Sequence, residues 1–187
     1  MGNSEDELEW VRRSREGDTH AFGELVLRHQ RMIHALTYRM TGSLADSADT
    51  AQEAFIRAFH RLDDFRGEAK FSSWLYQIAI HTCLNWKKSH ARREQLHRDW
   101  AEQEFAAGTK SSVDDRAPDE QGSRAQEALM KLPAKQRAAI VLTVHEEMNH
   151  AEAARVLGCS ETTVSWRVFA ARRKLKRLLQ KDRVHNE

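Results

Sequence analysis

The feature that most narrows the fold is the segment NHAEAARVLGCSETTVSWRVFAARRKLKR, running from Asn149 to Arg177. It reads as two helices joined by a tight turn. The first helix ends at Leu157, Gly158 supplies a left-handed backbone position that a side chain would resist, and Ser160 offers an oxygen to cap the next helix. Within that second helix Val164, Val168, Ala171, Leu175 and Leu178 recur at helical spacing and form one buried stripe. At about 100° per residue the opposite side carries Thr162, Trp166, Phe169, Ala170, Arg173 and Arg177, the side on which a helix-turn-helix meets the major groove. Ala154 is small enough to sit where helix crosses helix, and Leu157 and Cys159 flank the turn with apolar surface. Eight cations, Arg167, Arg172, Arg173, Lys174, Lys176, Arg177, Lys181 and Arg183, stand against the single acid Asp182. That local excess suits phosphate better than it suits an ordinary solvated hairpin.

The whole chain averages this asymmetry away: 187 residues carry a net charge of only +2, with 40% hydrophobic and 31% charged residues, enough for one large or two small globular domains. No apolar run reaches the length of a membrane span, so direct membrane insertion is not expected. The start MGNSEDELEW is acidic and lacks the pattern of a secretory signal, so a cytoplasmic protein is expected. Cys83 and Cys159 have no second thiol or metal-ligand spacing beside them and read as small core residues; neither a metal nor another cofactor is expected. Two prolines and eight glycines leave long stretches uninterrupted with a period near 3.6, which predicts an all-α fold.

Along the chain, Asp18 can cap a helix from about 19 to 40 with Phe22, Leu25, Val26, Ile33 and Leu36 on its core face and Gly42 ending it. A second helix is expected from about 44 to 62 with a core face of Ala48, Ala51, Phe55, Phe59 and Leu62, followed by the turn Asp63-Asp64-Phe65-Arg66-Gly67. A third starts near Phe71, buries Trp74, Leu75, Ile78, Ala79 and Leu84, and dissolves into Lys87, Lys88, Arg92 and Arg93. From 99 to 123 periodicity stops and acids dominate: Asp99, Glu102, Glu104, Asp114, Asp115, Asp119 and Glu120 against Lys110 and Arg116. Periodicity returns at Arg124 with Ala128, Leu129 and Leu132, then Ile140, Val141 and Val144. The expected organisation is a helical domain over 1–98, a flexible acidic linker over 99–123, and a small helix-turn-helix domain over 124–187.

On the second helix the run DTAQEAFIRAF sets Asp49, Gln52, Glu53, Ile56 and His60 on one strip beside the core face, carboxylate and amide groups next to an exposed isoleucine. Such a strip suits a protein partner. The order DTAQEAFIRAFHRLDDFRGEAKFSSWLYQIAIHTCLNW, an acidic linker, LMKLPAKQRAAIVL and a helix-turn-helix closely resembles bacterial sigma factors of the extracytoplasmic-function (ECF) group of the sigma-70 family. The likeness covers roughly residues 17–179.

The resemblance implies a transcription initiation factor whose partners are core RNA polymerase, promoter DNA and an anti-sigma factor. By that likeness Asp49, Gln52, Glu53 and Ile56 match positions that dock on the coiled-coil of the polymerase's largest catalytic subunit. The stretch from Arg66 to Asn85 is similar to the segment that captures the opened non-template strand near −10. Single-strand capture needs cations and rings or edges, and Arg66, Lys70, Trp74, Tyr76 and Gln77 provide them, with His81 where many relatives carry asparagine. Trp74 and Tyr76 are neighbours, so one of the pair is expected to face the core. The −35 helix departs from the family's T-V-[KR]-S-R with Thr163-Val164-Ser165-Trp166-Arg167, and Ala170 stands where arginine is common. Thr162, Thr163, Ser165, Trp166 and Phe169 are the base-facing candidates, while Arg167, Arg173 and Lys174 suit phosphates. The alternative reading of the exposed, apolar Trp166 is contact with an inhibitory protein. The linker, if it spans the two promoter elements, must run extended, and its acidity suits a path through the polymerase cleft.

An enzyme is not expected. In HEEMNH the histidines His145 and His150 are five apart, about 140° around a helix, which fails the one-face geometry of a zinc protease, and no phosphate loop or nucleophile elbow is present. The main rival is a dimeric helix-turn-helix repressor or activator, which would bind a symmetric operator. A protein-binding adaptor would leave the basic segment without a purpose.

Overall fold

The computed structural model describes residues 2–101 and 120–184, with side-chain surroundings from 6 to 89 and from 124 to 180. Every regular element among them is helical. Helix α1 (Gly2–Arg15) has no counterpart in the sequence expectation. It lies against α2 (Thr19–Thr41) through a few specific contacts. The Glu7 carboxylate accepts from His29 Nε2 at 2.7 Å and sits 3.7 Å from Arg28 Nε, whose guanidinium lies 5.4 Å from the Trp10 ring centroid. Arg15 donates to the carbonyls of Leu62, at 3.0 Å, and Phe65.

Asp18 caps α2 as expected, accepting from the N–H groups of His20 at 2.9 Å and Ala21 at 3.2 Å, and Gly42 ends it in the left-handed region at φ 83°. Here the glycine does a second job. A Cβ built on Gly42 would come within 2.7 Å of Met130 Sδ, so glycine lets the Met130 side chain pack directly on the end of α2, and any other residue there would have to displace it.

Helix α3 (Leu44–His60) corrects the expected core face. Ser47, Thr50, Ala51, Ala54 and Ala58 are buried, while Ala48 and Phe59 are exposed and Phe55 is half-buried. Small residues on the inner side let α3 approach α2 closely, and the buried hydroxyls cost little because Thr50 Oγ1 bonds back to Asp46 O at 2.6 Å and Thr37 Oγ1 donates to Ser47 O at 3.0 Å. A 3-10 turn (Leu62–Asp64) leads to α4 (Phe71–Ala101), which continues well past the basic residues where the sequence suggested it would dissolve. Phe65, Phe71 and Trp74 cluster at its start, with ring centroids 5.4–5.5 Å apart.

The linker expectation is trimmed at both ends, because α4 includes Asp99 and α5 (Glu120–Met130) begins at Glu120. Glu102, Glu104, Lys110, Asp114, Asp115, Arg116 and Asp119 lie outside the described residues. Helix α6 (Ala134–Ile140) runs into a π-helical turn (Val141–His145), then come α7 (His150–Leu157) and α8 (Glu161–Val184). Val144, expected in the core, is exposed.

The two helical domains are packed together, with α2 against α5 and α6 and α4 against α7. Their anchor is Arg137, a fully buried residue (0% exposed). Its guanidinium donates to the carbonyls of Leu129, Met130 and Leu132 in its own domain at 2.6–3.2 Å, and to Met40 at the end of α2 at 2.5 Å. One side chain thus satisfies terminal carbonyls of two helices across the domain boundary. Gln126 Nε2 adds a bond to Tyr38 O at 2.9 Å.

Candidate nucleic-acid and partner interfaces

The helix-turn-helix forms by local chemistry. Asn149 and Glu152 close a reciprocal capping box at the start of α7, both bonds 2.9 Å. Gly158 takes φ 58°, and Ser160 Oγ accepts from Thr163 N at 3.2 Å. Val164, Val168 and Ala171 are buried, with Leu175 and Leu178 partly so. The opposite side presents Trp166 and Phe169, 63% and 64% exposed, beside the exposed Thr162, Ser165 and Arg173. Two rings three residues apart on one helix make a continuous apolar ridge rimmed by cations.

The remaining −35 candidates divide. Thr163 is half-buried and its Oγ1 lies 2.9 Å from Ser160 Oγ, so it serves the cap. Arg167 donates to Cys159 Sγ at 3.4 Å, and Lys174 is half-buried. Sequence reasoning weighed His150 only as a metal ligand and missed its structural part. Its Nδ1 lies 2.8 Å from Ser165 Oγ and ties the start of α7 to the reading helix; its first position on α7 was the available signal. The side chains of Lys181, Asp182 and Arg183 lie outside the described residues.

On α3, Asp49, Gln52 and His60 are exposed, Glu53 is half-buried and paired with Arg57 at 2.6 Å, and Ile56 is 45% exposed. This strip borders an apolar groove of about 730 Å³ between α2 and α3, lined by Phe22, Val26, Gln52, Phe55, Ile56 and Phe59. Phe59 meets Phe22 edge-on at 4.9 Å between centroids. The phenylalanines assigned to the core from sequence are the walls of this groove.

The −10 candidates are split by the domain contact. Arg66, Lys70 and His81 are exposed; Trp74 and Gln77 are half-buried. His81 Nδ1 donates to the Gln77 carbonyl at 2.8 Å, which places the neutral ring's proton on Nδ1 and leaves Nε2 an acceptor. Lys70, Ser73, Trp74 and Gln77 face Glu152 and Arg155 of α7 across a cleft of about 370 Å³. Tyr76 is only 6% exposed, and its hydroxyl donates to the Glu146 carboxylate. Burial, reinforced by that carboxylate, holds the phenol's pKa far above its ordinary value. Next to it, burial and the Arg39 cation lower the pKa of His145, with Glu146 opposing. Cys83, on the buried side of α4, is pushed up to about 12 by burial and stays an unreactive thiol.

Two helical modules, one with an exposed strip of acidic, amide and apolar side chains on α3 and one with a helix-turn-helix whose α8 presents an exposed, basic face, are the architecture of a class of promoter-recognition protein, and the comparisons place the chain within it. Residues 25–93 match the family model Sigma-70 region 2 and residues 123–175 match Sigma-70, region 4. The chain is similar to the RNA polymerase sigma-H factor of Pseudomonas aeruginosa, 34% identical with 96% of this chain and 97% of that protein covered. It is also similar to the ECF RNA polymerase sigma-E factor of Escherichia coli K12, 32% identical over 91% and 92%. A solved structure of CnrH in complex with the cytosolic domain of CnrY superposes with a TM-score of 0.66 at 29% identity, covering 95% of this chain and 98% of that one. The chain belongs to the sigma-70 family of RNA polymerase sigma factors, in its ECF group. No described helix is long and apolar enough to cross a membrane.

Proposed function

We infer that this sigma factor docks on core RNA polymerase through Asp49, Gln52, Glu53 and Ile56, with the adjoining α2/α3 groove receiving apolar side chains of the partner. Its first domain, 1–98, captures the opened −10 strand with Arg66, Lys70, Trp74, Tyr76, Gln77 and His81. Its second domain, 124–187, reads the −35 element with Thr162, Thr163, Ser165, Trp166, Arg167, Phe169, Arg173 and Lys174, and 99–123 tethers the two. Strand opening in such a protein consumes no nucleotide, so the cost of unstacking is offset by base pockets and phosphate contacts supplied jointly with polymerase. The chain acts in the cytoplasm by binding and not by catalysis.

The observation that carries this assignment is the two-sided α8, with a buried Val164, Val168 and Ala171 stripe and Trp166 and Phe169 fully presented on the other side. Large rings there favour thymine methyls and groove shape, and the flanking cations favour phosphates. A protein inhibitor is a further partner of this chain: CnrH is seen bound to the cytosolic domain of CnrY, and the exposed aromatic ridge suits such a contact. Reconstituted transcription with core polymerase on a genomic promoter library is the decisive test. Factor-dependent start sites are expected, and their absence with folded protein overturns the assignment. Alanine at Gln52 and Glu53 should weaken core association and leave duplex DNA affinity unchanged.

A further inference from the structure

The domain contact contains a donor set that the assignments above use only in part, through Tyr76. Arg39, near the end of α2, directs Nη1 to Glu146 Oε1 at 3.5 Å, and the Tyr76 hydroxyl of α4 donates to Glu146 Oε2. A cation and a neutral donor from two helices of one domain therefore converge on the two oxygens of a single anion contributed by the other. That geometry is a general oxyanion seat, and a phosphodiester presents the same pair of oxygens with the same charge. The seat shares α4 with the single-strand strip: Tyr76 points about 100° around the helix from Gln77, which with Lys70 and Trp74 lines the neighbouring cleft between the same two domains.

The occupant is held there by an unusual backbone. Glu146 follows the π-helical turn, its N–H bonds to Val141 O at 3.2 Å, and Met148 N bonds to Leu142 O at 3.0 Å. Between them Glu147 adopts φ 53°, the one non-glycine residue with positive φ among the described residues. A left-handed conformation without glycine is strained and persists only where its surroundings over-determine it.

We propose that Arg39 and Tyr76 form a phosphate-binding station for single-stranded DNA on the first domain, and that Glu146 fills it as an internal stand-in while the two domains are packed together. The proposal rests on the assignment of the α4 strip to single-strand capture. It adds a residue, Arg39, and a competition: DNA phosphate and the second domain cannot occupy the station at once. Separation of the domains then exposes Tyr76 and Arg39 together.

The test uses the full chain and a short fluorescein-labelled single-stranded oligodeoxynucleotide of mixed sequence, because a phosphate contact is insensitive to sequence. Glu146→Gln keeps an acceptor for Tyr76 and removes the competing charge. It should tighten binding about five-fold, and adding Arg39→Ala should abolish the gain and flatten the slope of log affinity against log salt by about 0.7. Tyr76→Phe in the Glu146→Gln background keeps the ring and should remove part of the gain, with the melting temperature of each variant confirming a folded chain. If Glu146→Gln leaves affinity unchanged while Lys70→Ala or Trp74→Ala weakens it, the station is wrong and the single-strand strip stands. If none of these substitutions changes affinity, the strip and the station fall together.

Discussion

The α8 face and the α4 strip are assigned to the same nucleic acid, yet one stands open and the other is covered. Trp166 and Phe169 lie in solvent on a helix fixed from behind by Val164, Val168 and Ala171. Tyr76 is buried under a second-domain carboxylate, and Trp74 and Gln77 face α7 across a narrow cleft. On the proposed assignment, double-stranded readout by α8 asks nothing of the domain contact, whereas use of Tyr76 in single-strand capture requires that contact to yield, even though Arg66, Lys70 and His81 are already exposed. Duplex recognition would then come before full strand capture.

The strongest way to break the contrast is to remove the anchor of the covered side. Arg137→Ala strands four carbonyls and leaves a cavity, so it should cost about 3–5 kcal/mol in urea unfolding. A loss below about 1 kcal/mol would mean that Arg137 does not hold the domains together. On the open side, Trp166→Ala should weaken binding to duplex promoter DNA by roughly 1–3 kcal/mol and leave the melting temperature in place. Unchanged DNA affinity would assign the ridge to a protein partner instead.

A smaller effect of opposite sign is expected at the strained turn. Glu147→Gly removes the left-handed penalty and should raise stability by about 1 kcal/mol, read from the same urea curves. The smallest concerns pH. His145 binds its proton less readily in the folded chain than in the unfolded one, so acidification through the ordinary histidine range loads the unfolded state first. Stability is therefore full at alkaline pH and falls as pH drops, and His145→Gln should shrink the decrease in melting temperature between about pH 8 and pH 5.5. An identical decrease in both proteins would remove His145 from the account.

What could be read from the residues alone was local. The Gly158 turn, the Ser160 cap and the α8 stripe depend on neighbours within a turn or two, and each lies where spacing predicts. The expected face of α3 was right at Ala51 and at Leu62, just past its end, but otherwise misjudged, because Ala54 and Ala58 are buried by close helix approach, a gain that hydrophobicity does not register, while the larger rings Phe55 and Phe59 line a groove. Helix α1 escaped notice because Val11 alone of its described apolar residues is fully buried in the core, with the rest of its attachment made by Glu7, Trp10 and Arg15, too little for a periodic apolar stripe. The domain contact was invisible for a stronger reason. Arg137 reaches a carbonyl 97 residues away and Tyr76 a carboxylate 70 residues away, and an arginine in a sequence reads first as surface. The station residues were legible only in part, since Tyr76 was singled out for its ring and Arg39 was not.

The π-helical turn at Val141–His145 carries one residue more than regular α geometry needs. It works as a phase adjuster. Deleting a single residue there would restore a regular spiral and turn the point at which the chain leaves it by about 100°, changing the angle at which residues 146–149 lead into α7. On the proposed assignment, the bearing of α8 depends on this short stretch as well as on the residues of α8 itself.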